Sequence, residues 1–489
     1  MNVMKTIFNN VLPGILVFFL AGRAMAGISD IKAVTRYDYY TDEAMGEVLV
    51  IVPQDLLDKK IKIDLAFRYR FLTKGYPIPA GHARCLVPFP LEPFDRGSDT
   101  VICSFYVNDV WMHSVYVMVT KLPPVPNEVK IDRYSGGLIV DGRPFFPFGF
   151  YCSTPVDHIF PVEDHEAIFN TVTFYPYMKM SHFKERQAYM DRCAAAGIKV
   201  NYNVTGIVNG RDNNRKADMR LYNKWKNILK REILALRDHP ALLAWNLNCE
   251  SANGSISPDS VKTLCNVIRI PDPCHPVSVL YSDTLQAKAS GWNADVVMIE
   301  RQVIKDTGIT DTELAVRALH NEFYPYKPVW IVPQVSNDTG LCENAVTPGE
   351  TCAATWLAVM NGITGIQNIP PKEPCHSTLS LMLWAEASRM ALETAELAPF
   401  LLQYDDQPQY GCSIKEIRVK GWVKDSTAII LAVNTSGQPR NFTVDTRDST
   451  LTGDGEVMYE NRRVTLDHGR LNDIIDGCGI RIYKLSGFH

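Results

Sequence analysis

The chain has 489 residues, more than one ordinary core accommodates, so two or three domains are expected. Its 50 basic and 54 acidic residues leave a formal charge of −4, small for this length, and nothing in it suggests a nucleic-acid surface or a basic membrane face. The 12 cysteines show no paired CxxC spacing and His158 and His165 have no helical spacing, so neither a zinc site nor any other metal or cofactor is expected.

Residues 1–26 have the parts of a secretory signal. Lys5 supplies positive charge, Val11 to Ala21 form an apolar core, and "AMA" (Ala24, Met25, Ala26) gives the small-x-small cleavage pattern, with Arg23 between core and cleavage site. A membrane anchor is the competing reading, but the apolar run is short for a span. No later segment is long and apolar enough to cross a bilayer, so the mature chain is expected outside the cell or in a lysosomal-type secretory lumen. An even cysteine count in such a compartment points to disulfides, with Cys265/Cys274 and Cys342/Cys352 the first local candidates and connectivity left open. Asn203, Asn253, Asn337, Asn434 and Asn441 each head an N-x-S/T sequon.

Residues 27–126 carry short β-runs ("GEVLVIVP", "KIKIDLAFRYRFL", "DTVICSFYV", "HSVYVMVTKL") broken by Pro, Gly and Asp, the pattern of a β-sandwich. "PPVPNE" is a stiff joint. From 127 to 404 apolar runs alternate with long helical segments. The runs are "FFPFGFY" (145–151), "NTVTFY" (170–175), "KVNYNV" (199–204), "LLAWNL" (242–247), "PVSVLYS" (276–282), "ADVVMIE" (294–300), "PVWIVPQ" (328–334) and "GITGIQNI" (362–369). Eight β/α units predict a closed (β/α)8 barrel. A doubly wound open sheet is the alternative, weakened because no glycine-rich phosphate loop follows the first run. After the amphipathic "LWAEASRMALETAELAPFLLQ" the pattern returns to β, predicting a small sandwich over 405–489.

A (β/α)8 barrel keeps its active site at the C-terminal ends of its strands. The fourth run continues as "LLAWNLNCE", and alternate strand residues share a face, so Asn246, Asn248 and Glu250 would point one way. A polar strand end meeting a loop is the plain alternative. Glu300 ends the sixth run and supplies either a second carboxylate or a salt bridge to a loop. Asp283 follows the fifth and either binds a ligand hydroxyl or caps a helix. Tyr151, Tyr175, Tyr177, Tyr202, Tyr281 and Trp292 fall near strand ends, where aromatics suit the flat face of a ligand, although each singly is more often core or rim packing. "HNE" (320–322) repeats an Asn–Glu pair but precedes a strand.

These features resemble the large retaining clan of (β/α)8 glycoside hydrolases. "GGLIVDGRPFFPFGFY" is similar to the way such barrels begin. "DHPALLAWNLNCE" resembles their strand-four signature, whose terminal Glu is the acid/base. "KPVWIVPQV" and "NGITGIQNI" look like strands seven and eight, and "LAVN" like the accessory sandwich. The resemblance implies a carbohydrate or glycoconjugate substrate, with Glu250 as acid/base. Two departures stand out. The clan's nucleophilic Glu position reads as Gln334, and an amide cannot attack an anomeric carbon as a carboxylate does. Cys249 replaces the Asn preceding the acid, and the Asn248-x-Glu250 spacing instead resembles substrate-assisted glycosidases acting on N-acetylhexosamine. In those, the acetamide is the nucleophile and a polar residue two before the acid orients it; Gln334 would then help hold the sugar. A glycan-binding protein that has lost the nucleophile is the second reading, and an extracellular scaffold the third.

Overall fold

A computed structural model describes residues 31–152, 169–174, 183–208, 219–251, 254–255, 257–301, 308–333, 347–369, 378–403 and 407–487. The first body is a pair of antiparallel sheets. One holds Lys32–Thr35, Met45–Ile51 and Arg84–Pro90; the other holds Ile61–Phe67, Arg70–Ile78, Gly97–Val107 and Val110–Lys121. Alternation sends Ile61, Ile63, Leu65 and Phe67 to the inner face, where they meet Val87, Phe89, Val101 and Phe105 in one core. Asn108 and Asp109 both have positive φ (51° and 65°), and this two-residue turn matches the twist of the strands it joins.

A three-stranded antiparallel sheet (Val129–Asp132, Gly137–Val140, Arg143–Phe145) follows. Arg36 ties it to the sandwich by pairing with Asp132 (3.1 Å) and Glu47 (2.7 Å).

The eight runs predicted from the sequence form a closed parallel barrel. Its strands, in chain order, are β1 (Phe148–Cys152), β2 (Thr171–Phe174), β3 (Lys199–Asn203), β4 (Leu242–Asn248), β5 (Val277–Tyr281), β6 (Val296–Arg301), β7 (Val329–Pro333) and β8 (Ile366–Asn368). β8 closes on β1 through Phe148–Ile366, Gly149–Gln367 and Phe150–Asn368. A side chain at Gly149 would sit 2.0 Å from the Thr171 carbonyl oxygen, so only glycine lets β1 approach β2 there.

The helices are α1 (Phe183–Ala195), α2 (Thr205–Val208), α3 (Met219–Leu236), α4 (Pro258–Arg269), α5 (Thr284–Ser290), α6 (Thr310–Phe323), α7 (Pro348–Met360) and α8 (Thr378–Leu401). Phe150, Val172, Val200, Trp245, Val279, Val297 and Ile331 face outward and share one core with residues of this helical layer. Leu243, Leu280, Val296, Met298 and Trp330 form an inner cluster with Val129, Ile131, Leu138 and Val140. The small antiparallel sheet thereby fills the N-terminal end of the barrel.

Over 411–486 eight antiparallel strands form one continuous sheet. One face closes on its own core of Ile430, Ala432, Phe442, Val444, Leu471 and Tyr483. The other face contributes Ile429, Leu431 and Val433 to the barrel core, where the Thr427–Asn434 strand meets α7. The expected C-terminal β-body is therefore one folded, sandwich-like sheet.

The cysteine pairings are corrected. Cys265 and Cys274 are both buried free thiols, one in the barrel–helix core on α4 and the other before β5. Burial pushes both thiols up to about 12. Cys352 is also free; Cys342 lies outside the described residues. Two sequons are correspondingly closed. Asn203 and Asn434 are 7 % and 0 % exposed, and the Asn434 amide donates to the carbonyls of Gln438 and Asp476 at 2.8 Å each.

Candidate functional site at the C-terminal mouth of the barrel

Polar side chains cross the barrel interior above the apolar floor. Thr173 donates to Gln367 (2.9 Å), and Gln367 to Thr171 (2.7 Å). Ser278 donates to Asn201 (2.9 Å), and Asn246 to Ser278 (2.9 Å) and the Met298 sulfur (3.3 Å). All are buried, so these bonds form in a low-dielectric interior that makes unmade ones costly. Asn246 is 0 % exposed and its amide NH2 is committed to this network, while its Oδ1 has no hydrogen-bond partner among the described residues. The inward "N-x-N" of β4 has a counterpart in β3. Asn201 and Asn203 share a face, and Asn203 is the register partner of Asn246.

One step nearer the mouth, the ends of β3 and β4 are linked. The Thr205 backbone N–H donates to Asn203 Oδ1 (2.9 Å), and the Asn248 N–H donates to Thr205 Oγ1 (2.7 Å). Asn248 is half-buried at the last position of β4. The chain then passes through Cys249 into a two-residue strand, Glu250–Ser251, paired with Gly254–Ser255. The backbone of Glu250 therefore lies just beyond the C-terminal end of β4. Cys249 belongs to the barrel–helix core, and burial pushes its thiol up to about 12, so it is no nucleophile at neutral pH. Glu300 keeps the inward parity of Val296 and Met298 on β6 and is half-buried near its end, opposite Val332 of β7. Arg301 instead pairs with Asp311 in the first turn of α6.

The remaining predicted site residues divide. Tyr151 faces the inner cluster and is 2 % exposed, so it forms part of the barrel interior rather than an open sugar platform. Tyr281 is a correction: it shares the parity of Val277 and Val279 and is buried against the helical layer. Asp283 is the N-cap of α5, accepting the Gln286 N–H at 2.9 Å, so the capping reading holds in the structure. Trp292 is also corrected. It stands in the short turn entering β6, hence at the opposite end of the barrel, against Phe323 and Tyr326 with its indole N–H on Glu322. The Tyr202 side chain is on the outer face of β3, bonded to Arg186 and Glu232. Tyr175, Tyr177 and Gln334 lie outside the described residues. Asn201 and Asn203 were missed from the sequence although "VNYNV" alternates as "WNLN" does; that alternation was the available signal.

No family model matches the sequence, and no curated protein matches it. Solved structures do match. A Bacteroides vulgatus protein provisionally described as a glycoside hydrolase superposes over 92 % of this chain and 100 % of its own, at 12 % identity and a TM-score of 0.50. A cyclomaltodextrinase superposes over 91 % of this chain and 97 % of its own, at 11 % identity and a TM-score of 0.50. A β-glucuronidase from an uncultured Clostridium covers 74 % of this chain at 14 % identity and a TM-score of 0.43. At these identities the likeness shows the fold alone, a (β/α)8 barrel with flanking β-bodies.

Proposed function

We propose that the protein is a secreted glycosidase hydrolysing O-glycosidic bonds at the C-terminal mouth of the barrel, with Glu250 as general acid/base. The observation that carries this reading is the pairing of Asn248, inward and half-buried at the end of β4, with Glu250 two residues on. Glu250 gives its proton to the leaving oxygen as the glycosidic bond breaks. The acetamide oxygen of an N-acetylhexosamine attacks the anomeric carbon, and Asn248 orients that acetamide. Water then opens the cyclised intermediate, losing its proton to Glu250. Glu300, on the inward face of β6, acts on the same sugar as a second carboxylate. Gln334, following β7, then has no nucleophilic duty. The signal-like residues 1–26 support secretion.

The test is a panel of aryl glycosides that includes N-acetylhexosaminides, offered to the purified chain and to Asn248→Ala. Cleavage of N-acetylhexosaminides, inhibition by a thiazoline mimic and a sharp loss in Asn248→Ala are expected. Cleavage of simple glucosides with covalent fluorosugar labelling at Glu300 would overturn substrate assistance. Gln334 favours a second reading, a glycan-binding protein without turnover; binding in the cleft with no cleavage would establish it.

A further inference from the structure

Two neighbouring amides in the barrel interior are half-satisfied in opposite senses. Asn203 Oδ1 accepts the Thr205 N–H, which fixes the other branch of that amide as its nitrogen, and this Nδ2 has no hydrogen-bond partner among the described residues. Asn246 Nδ2 donates to Ser278 and Met298, which fixes its other branch as oxygen, and this Oδ1 has no partner either. The residues are 7 % and 0 % exposed and are register partners across β3 and β4. Both side chains face the interior, since Asn201 and Asn246 both bond to Ser278. A buried donor and a buried acceptor, each unmatched, therefore stand side by side below Asn248.

Buried amide groups are rarely left without partners, and those that are call for a physical explanation. A single hydroxyl group satisfies both at once: its oxygen accepts from one amide while its hydrogen goes to the other. We infer that Asn203 and Asn246 together form a seat for one hydroxyl of the sugar whose glycosidic bond lies at Glu250. This rests on the glycosidase reading and deepens it, because it assigns the floor of the cleft a specificity role. A site built around a hydroxyl discriminates strongly against a ligand lacking that group, since two buried polar atoms then stay unmatched. Asn203 is also the head of a sequon, and this seat gives its amide a role inside the barrel instead.

The experiment uses the full chain and the aryl glycoside it cleaves best, alongside analogues in which each hydroxyl in turn is replaced by hydrogen. In the wild type, one analogue is expected to lose on the order of a hundredfold in kcat/KM. In Asn203→Ala the parent substrate falls by about tenfold or more, and that same analogue shows little further loss, while the other analogues keep their wild-type penalties. Asn203→Ser serves if the alanine variant does not fold, because a serine hydroxyl accepts the Thr205 N–H as the asparagine oxygen does but is too short to carry the amide donor. Unaltered deoxy penalties in a folded, active variant would overturn this inference and leave the glycosidase reading standing. A variant that loses thermal stability alone, with discrimination intact, would mark the pair as a structural water site and overturn it equally. A wild type that cleaves none of the panel would overturn both readings.

Discussion

Replacing Glu232 by leucine probes what holds the end of β3, and therefore Asn203, in place. Arg186 on α1 donates to Glu232 on α3 through two bonds of 2.8 and 2.7 Å, and to the Tyr202 hydroxyl of β3 at 2.8 Å. Tyr202 also donates to Glu232. The arginine and glutamate are 3 % and 4 % exposed, so the pair is fully withdrawn from water. Removing one member of a buried ion pair leaves an uncompensated charge and costs about 3–5 kcal/mol, whereas replacing both with apolar residues is often neutral. At roughly 2–4 °C per kcal/mol for a domain of this size, Glu232→Leu should lower the melting temperature of the barrel by roughly 10 °C. Arg186→Met combined with Glu232→Leu should recover most of that loss. Urea and thermal melts followed by tryptophan fluorescence read both. A single variant within about 1 kcal/mol of wild type, or a double variant no better than the single, would refute the reasoning.

Three further outcomes follow from the same structure. Gly149→Ala should give no soluble native protein, checked by expression and near-ultraviolet circular dichroism, because the added carbon meets the backbone of β2 at 2.0 Å. His320 is held neutral, its pKa lowered to about 4 by burial and by Lys420 and Arg84, against 6.5 unfolded. Its folded value is depressed, so the stability it contributes is present above about pH 6.5 and lost as pH falls toward 4, by up to about 3 kcal/mol; His320→Gln should flatten that part of the stability–pH curve. Asp283→Ala should cost about 1 kcal/mol of stability through loss of the α5 cap and leave kcat/KM unchanged, measured by melts and initial rates.

The barrel was legible because its strands are apolar runs of the right length separated by long helical segments, and the chain order of the runs is the order around the barrel. Parity made part of the candidate site legible too. "WNLN" puts Asn246 and Asn248 on one inward face, and Glu300 follows Val296 and Met298 in the same way. The errors came from using nearness to a strand end without parity or direction. Tyr281 ends β5 but carries the outward parity of Val279. Trp292 lies close to β6 in sequence but on the side where the chain enters it. The half-satisfied pair of Asn203 and Asn246 depends on which atom of each amide meets Thr205 or Ser278; the Thr205 contact is local, but the Ser278 contact joins residues 32 apart in the chain. The Arg186–Glu232 clamp, 46 residues apart, has no local pattern at all.

The central claim is that Glu250 delivers the proton to the leaving group. Its most direct test compares Glu250→Gln with wild type on two aryl glycosides of the same sugar, one with a 2,4-dinitrophenol leaving group and one with 4-methylumbelliferone. The dinitrophenolate departs without a proton, so kcat/KM for its glycoside should change little. The methylumbelliferyl substrate needs acid help and should fall by on the order of a hundredfold or more. Equal losses on both substrates, or none on either in a folded variant, would contradict the assignment.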